Sequence, residues 1–173
     1  MKGQIMDGSI QIYYGTGRGK TTAALGLGIR AAAEGKQVIM VQFLKGKNNH
    51  TLEYLKKLEP ELQIFRFERA GCVFSELSPE EQKEQVANIQ TALSYTKKVL
   101  DTCQCDVLIL DEIFGLIDYG IITVEELYNL VSIKNDSMDV IMTGRKMPDI
   151  FMNLADCIYN ITAEKENDRE ILE

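Results

Sequence analysis

A strand, a glycine-rich turn and a helix follow one another without a gap near the start of the chain. Ser9-Ile10-Gln11-Ile12-Tyr13-Tyr14 has the alternation of a strand, and Gly15-Thr16-Gly17-Arg18-Gly19-Lys20-Thr21-Thr22 is the turn. Ala23-Ala24-Leu25-Gly26-Leu27-Gly28-Ile29-Arg30 then continues as a helix. Glycines let the backbone turn tightly and aim several N–H groups at one anion. The helix N-terminus adds its partial positive charge. Lys20 supplies a mobile cation and Thr21 a hydroxyl for magnesium. The common phosphate-loop spacing would need glycine where Tyr14 stands, so with Gly15 the loop is one residue shorter. The alternative is a glycine-rich turn without a ligand. The short loop argues against an ordinary ATPase but not against phosphate binding.

The rest of the chain reads as alternating strands and helices. Strands are expected at Gln37–Phe43, Gln63–Phe67, Asp106–Asp111, Asp139–Thr143 and Cys157–Ile161. A short helix is expected from Thr51 to Leu58, before Pro60, and another from Val124 to Val131. A long helix should begin at Ser78-Pro79-Glu80-Glu81, where serine caps, proline takes the first turn and acids face the positive end. Val86, Ile89, Leu93 and Val99 recur on it at helical spacing. The unbroken apolar run Val107–Leu110 suits a strand buried on both faces of a parallel sheet. The expected architecture is α/β, a mostly parallel sheet with helices on both faces and ligands beyond the carboxyl ends of the strands. One domain over residues 1–173 is expected, with 162–173 a polar C-terminal end. That end, from Ala163 onward, holds five acids and two bases.

Composition narrows the function classes. The net charge of -7 argues against nucleic acid as the main partner. No run of 18 apolar residues appears, and the first eight residues lack the apolar segment of a signal peptide, so a cytoplasmic protein with no membrane span is expected. Of Cys72, Cys103, Cys105 and Cys157, only Cys103 and Cys105 are close, and His50 is the one histidine. Free thiols in a reducing compartment are a better reading than a zinc site.

A second group of site residues follows a later strand. Asp111-Glu112 closes the run Val107–Leu110, where a carboxylate can hold magnesium directly or through water. The alternative is a strand that ends in solvated acids. Arg145, after Thr143-Gly144, can reach a phosphate with its planar fork or pair with a surface acid. His50 sits in the polar stretch Lys47-Asn48-Asn49 and reads as solvated. Phe65 and Phe67 share a strand face and read as core, whereas Phe74, in an irregular stretch, has more freedom to meet a ligand. No Ser/His/Asp or Cys/His constellation is evident.

Together these residues resemble the P-loop-type ATP:corrinoid adenosyltransferases. The resemblance runs from Ser9 to about Ile161 and rests most on Ile12–Gly26 with its shortened loop and on Val41-Gln42-Phe43-Leu44-Lys45-Gly46. Leu110-Asp111-Glu112-Ile113, Asp118-Tyr119-Gly120, Thr143-Gly144-Arg145 and Leu154-Ala155-Asp156 add to it. It implies a P-loop NTPase-like, RecA-like fold. It implies that Co(I) of a reduced corrinoid such as cobalamin attacks the 5′ carbon of ATP and expels inorganic triphosphate, in cobalamin synthesis or salvage.

By that resemblance Gly17, Gly19 and Lys20 hold the triphosphate, with Gly15, Thr16 and Arg18 in the same loop. Thr21 and Glu112 ligate magnesium, or manganese in its place, and Asp111 is a further metal candidate. Thr22, Arg30 and Arg145 are further nucleotide candidates, and Phe74 is the corrinoid candidate in a chain without tryptophan. Lys20 and Glu112 are the catalytic candidates. A homodimer, with a flavoprotein as candidate reductant, is expected by the same analogy. No catalytic serine, cysteine or histidine is needed, because the corrinoid brings the nucleophile. Two other readings stand beside this one: a kinase or ATPase making ADP, and an ATP-binding regulatory module of the same fold without turnover.

Overall fold

The computed structural model describes residues 8–45, 53–67 and 74–165. Six strands form one parallel sheet: β1 (Ile10–Tyr14), β2 (Val38–Gln42), β3 (Leu62–Arg66), β4 (Val107–Asp111), β5 (Asp139–Gly144) and β6 (Cys157–Asn160). Their spatial order is β3-β2-β4-β5-β1-β6. The strand leading into the glycine loop is thus separated by β5 from the strand that ends in Asp111. The helices are α1 (Lys20–Ala33), α2 (Pro79–Thr102), the single turn α3 (Gly115–Asp118) and α4 (Val124–Ser132).

The two faces of the sheet carry different layers. Val38 and Met40, Val107 and Ile109, Leu62 and Ile141 point to one side and pack with Ala24 of α1. The alternate residues Ile39, Val41, Leu108, Leu110, Val140 and Met142 point to the other side, against Ile89, Ala92 and Val99 of α2 and Leu127 and Val131 of α4. β2 and β4 are buried at every position, as strands covered on both faces must be. Helix α1 lies unusually close to the sheet. A Cβ on Gly28 would come within 2.9 Å of Ile109 Cδ1 and 3.3 Å of Val38 Cγ1, so a larger residue there would have to push these side-chain tips aside.

The long helix starts where its sequence signals place it. Ser78 is the N-cap and Pro79 the first helical residue. Phe65 and Phe67 pack against Tyr95 of α2, with ring centroids 4.8 and 5.7 Å apart, as partly buried residues at the edge of the core. Besides a 3-10 turn at Phe74–Glu76, two short elements were not expected, α3 and a 3-10 turn at Asp149–Asn153. Each is too short to show a helical period, and each is held by buried residues, Leu116 and Phe151. The expected helix up to Leu58 is a helical turn over 53–55 that tightens into a 3-10 turn at Lys56–Leu58. Its first residues, 51–52, lie outside the described residues, as do His50, Cys72 and the tail beyond 165. Among the described residues no helix is long and apolar enough to cross a membrane.

Candidate functional site

Every strand runs in the same direction, so the turns after β1, β2, β4 and β5 meet at one end of the sheet. The turn after β1 is tightly tethered. Gly15 N–H donates to Arg145 O at 3.1 Å, and Gly17 N–H to Ile161 O, past the end of β6, at 2.8 Å. Gly15 and Gly19 have φ of 119° and 100°, a region costly for any residue with a Cβ. A Cβ on Gly15 would also run into Ile161 O. Gly19 then serves as the N-cap of α1 without a side chain to cap it, so the first N–H groups of the helix have no side-chain acceptor of their own.

Lys20 folds back over this loop. Its Nζ donates to Gly17 O at 2.8 Å, and the residue is buried. Burial pushes its pKa down, with Arg145 and Lys45 adding to the fall and Glu112 opposing it. Its ammonium is thus held against the loop backbone at the end of the sheet.

Asp111 lies at the centre, fully buried at 0% exposure. Its Oδ1 accepts from Thr143 Oγ1 at 2.7 Å and from Thr21 Oγ1 at 2.9 Å. Its Oδ2 accepts from Gln42 Nε2 at 3.0 Å, and Thr21 Oγ1 is 3.1 Å away. Thr143 Oγ1 in turn accepts the N–H of Glu112 at 2.8 Å. Glu112 has φ of 60°, unusual for a residue with a side chain. Burial raises its pKa, Asp111 raises it further, and Lys45, Lys20 and Arg145 pull it back. Three cations therefore act on one carboxylate at the carboxyl ends of the strands.

Thr21 Oγ1 and the Glu112 carboxylate are hard oxygen donors. Among the described residues no group of three or more His, Cys, Asp or Glu side chains gathers as a metal cage. Magnesium suits this set, because it is commonly held by one or two protein oxygens together with substrate phosphates. Both oxygens of Asp111 already serve protein donors, so its place is behind Thr21.

The structure brings together the loop Gly15–Thr22, Asp111 and Glu112, with Arg145 and Lys45 close enough to act on Lys20 and Glu112. Thr16, Arg18 and Thr22 are exposed on the loop and at the start of α1. It does not bring Arg30 there. Ten residues along α1 from Lys20, Arg30 lies about 15 Å down the helix axis, exposed and paired with Glu34 at 3.2 Å. Its neighbours in a small hollow include Val107 and Asp139, the first residues of their strands. That is a correction to the expectation for Arg30. Phe74 opens a 3-10 turn, and its ring meets that of Tyr119, just after α3, at 4.9 Å. Sequence reasoning missed Lys45, Gln42 and Thr143. The signal for the last two was present: a polar residue follows an apolar run, Val38–Val41 before Gln42 and Val140–Met142 before Thr143.

An open parallel sheet with a phosphate-type loop, and one strand between that loop's strand and the acid-bearing strand, defines a P-loop nucleotide-binding protein of the RecA-like kind. A KaiC-like protein from Pyrococcus horikoshii shares this fold at TM-score 0.57 and 18% identity, over 92% of this chain and 75% of that one. Residues 6–171 match the family model described as ATP:corrinoid adenosyltransferase BtuR/CobO/CobP, and the chain belongs to that family. The corrinoid adenosyltransferase of Escherichia coli K12 is 29% identical over 158 residues, which is 91% of this chain and 78% of that protein. Corrinoid adenosyltransferase CobA of Salmonella typhimurium matches to the same extent.

Proposed function

We propose that this protein transfers the 5′-deoxyadenosyl group of ATP to the Co(I) centre of a reduced corrinoid and releases inorganic triphosphate. The observation that carries the reading is the meeting of Lys20, the Asp111–Thr21 pair and Glu112 at one end of the sheet, in a member of this family. The cobalt electron pair forms the Co–C bond, and the C5′–O bond breaks with its electrons leaving on triphosphate. Cobalt passes formally from Co(I) to Co(III).

The protein's task is then to orient two substrates and to stabilise charge on the departing triphosphate. Lys20, with the N–H groups around Gly19 and the start of α1, holds the triphosphate oxygens. Gly15 and Gly17 shape the loop, because their own N–H groups are already tied to Arg145 O and Ile161 O. Arg145 and Lys45 supply further positive charge. Thr21 and Glu112 hold magnesium or manganese, which neutralises phosphate charge when bound. Phe74, against Tyr119, offers an aromatic surface for the corrinoid face. Co(I) requires a strong reductant, for which a flavoprotein is our candidate. The reading extends to a cytoplasmic homodimer, which sedimentation of the purified protein tests.

The test is an anaerobic reaction with ATP, magnesium and chemically reduced cobalamin. A light-sensitive adenosyl–cobalt absorbance with one triphosphate per turnover is expected. ADP as the product would overturn the reading in favour of a kinase or ATPase.

A further inference from the structure

The stripes of side chains beneath α1 are apolar along most of their length and polar at one end. On β3 the stripe is Leu62, Ile64, then Arg66; on β2 it is Val38, Met40, then Gln42. On β4 it is Val107, Ile109, then Asp111, and on β5 Asp139, Ile141, then Thr143, the one stripe of the four with a polar residue at its far end as well. The register aligns these ends, Gln42 opposite both Arg66 and Asp111. Thr143 follows Met142 as Asp111 follows its partner Leu110. A row of four polar residues thus crosses four adjacent strands at the level of Thr21, the second residue of α1.

The row is bonded in one direction. Arg66 Nε donates to Gln42 Oε1 at 2.6 Å, and Gln42 Nε2 donates to Asp111 Oδ2 at 3.0 Å. Arginine has no acceptor, so it requires the amide oxygen of Gln42 to face it. The amide NH2 must then face Asp111. Were the amide reversed, an N–H2 would meet a guanidinium and a carbonyl would meet a carboxylate, and both contacts would be repulsive. Gln42 is itself buried, so water cannot replace either bond. Because Gln42, Thr143 and Thr21 are all neutral donors, they fix the carboxylate without cancelling its charge.

We infer that Gln42, oriented by Arg66, is a positioning residue for the metal. It holds Asp111 so that Thr21 Oγ1, rather than Asp111 itself, is presented to a divalent cation bound with ATP. The inference rests on the reading that this site takes a metal–ATP complex. Outer-sphere partners of this kind change metal affinity by about 10–100-fold when removed.

The test needs no corrinoid, so a failure of adenosyl transfer would count against the transfer reading and leave this row untouched. ATP affinity is measured by calorimetry on the full chain, once with magnesium and once with EDTA. The ratio of the two dissociation constants is the metal-dependent part. Gln42→Met, close in shape but without the amide, should reduce that ratio by about 10-fold or more while leaving affinity in EDTA unchanged. Arg66→Met should reduce it in the same direction but less, since the amide stays and only its orienting partner is lost. A general packing defect would weaken both affinities together. If Gln42→Met does not fold, Arg66→Met at the end of its strand carries the test. A wild-type ratio in a folded variant would overturn the assignment, and a wild-type protein indifferent to magnesium would overturn it together with the metal site.

Discussion

The three longest helices begin in two different ways. Helices α2 and α4 close their own N-termini. Ser78 accepts from Glu81 N–H at 3.3 Å while Glu81 accepts from Ser78 N–H at 2.9 Å. Thr123 and Glu126 repeat this reciprocal pair at 3.1 and 2.7 Å. Both first turns carry two acids that complement the helix dipole. Helix α1 has none of this. Its N-cap is Gly19, its first turn holds no acid, and its first residue is Lys20. A side-chain cap in place of Gly19 would contribute roughly a few tenths of a kcal/mol, and the chain forgoes it. The self-capped helices satisfy their own first N–H groups, whereas the uncapped one leaves its donors and positive end open, as the proposed triphosphate site requires.

Substitutions separate the two kinds of helix start. The largest effect is expected for Lys20→Ala, which should lower kcat/KM for ATP by roughly 10²–10³-fold with little change in melting temperature. Unchanged turnover would remove the phosphate-loop assignment. Thr143→Val keeps the side-chain shape but takes one donor from Asp111 and the acceptor from Glu112 N–H. It should cost about 1–3 kcal/mol of stability in denaturant titration and also weaken ATP binding in magnesium.

At the capped ends the effect should fall on stability alone. Thr123→Ala should cost about 0.5–2 kcal/mol and leave ATP affinity as it was; a loss of affinity would break the contrast between the helices. The α2 box adds a pH signature. Hydrogen bonds from the backbone and side chain of Ser78 hold the Glu81 carboxyl below its ordinary value. A depressed acid stabilises the fold above its unfolded pKa, about 4.3 for glutamate, and loses that contribution as pH falls through the folded value. Glu81→Ala should therefore melt lower than wild type at neutral pH, and the gap should close in acid. The smallest effect is expected for Arg30→Ala. Exposed at the far end of α1, its pair with Glu34 is worth at most about 1 kcal/mol, and ATP affinity should not move.

Much of this architecture could be read without coordinates, because its signals are local. The alternation of Ile10 and Ile12, the run Val107–Leu110 and the pair Ser78-Pro79 each report on their own neighbourhood, and each element forms where expected. The loop and Asp111-Glu112 were legible for the same reason. Arg30 was misplaced because a helix carries its residues away from the loop at a fixed rise, which a motif match does not measure. α3 and the turn at Asp149–Asn153 escaped notice because one turn has no period.

Residue order alone determined that a strand, a glycine-rich turn and an uncapped helix would follow one another, since glycine conformation and missing caps are properties of adjacent residues. It also determined the parallel sheet, through two central strands, β2 and β4, too apolar to face water on either side. Only the tertiary structure decided which polar strand ends meet. Arg66, Gln42, Asp111 and Thr143 lie 24, 69 and 32 positions apart along the chain and become one bonded row through strand order and register. Register is a property of pairs of strands, set by packing beneath α1, and no single segment contains it.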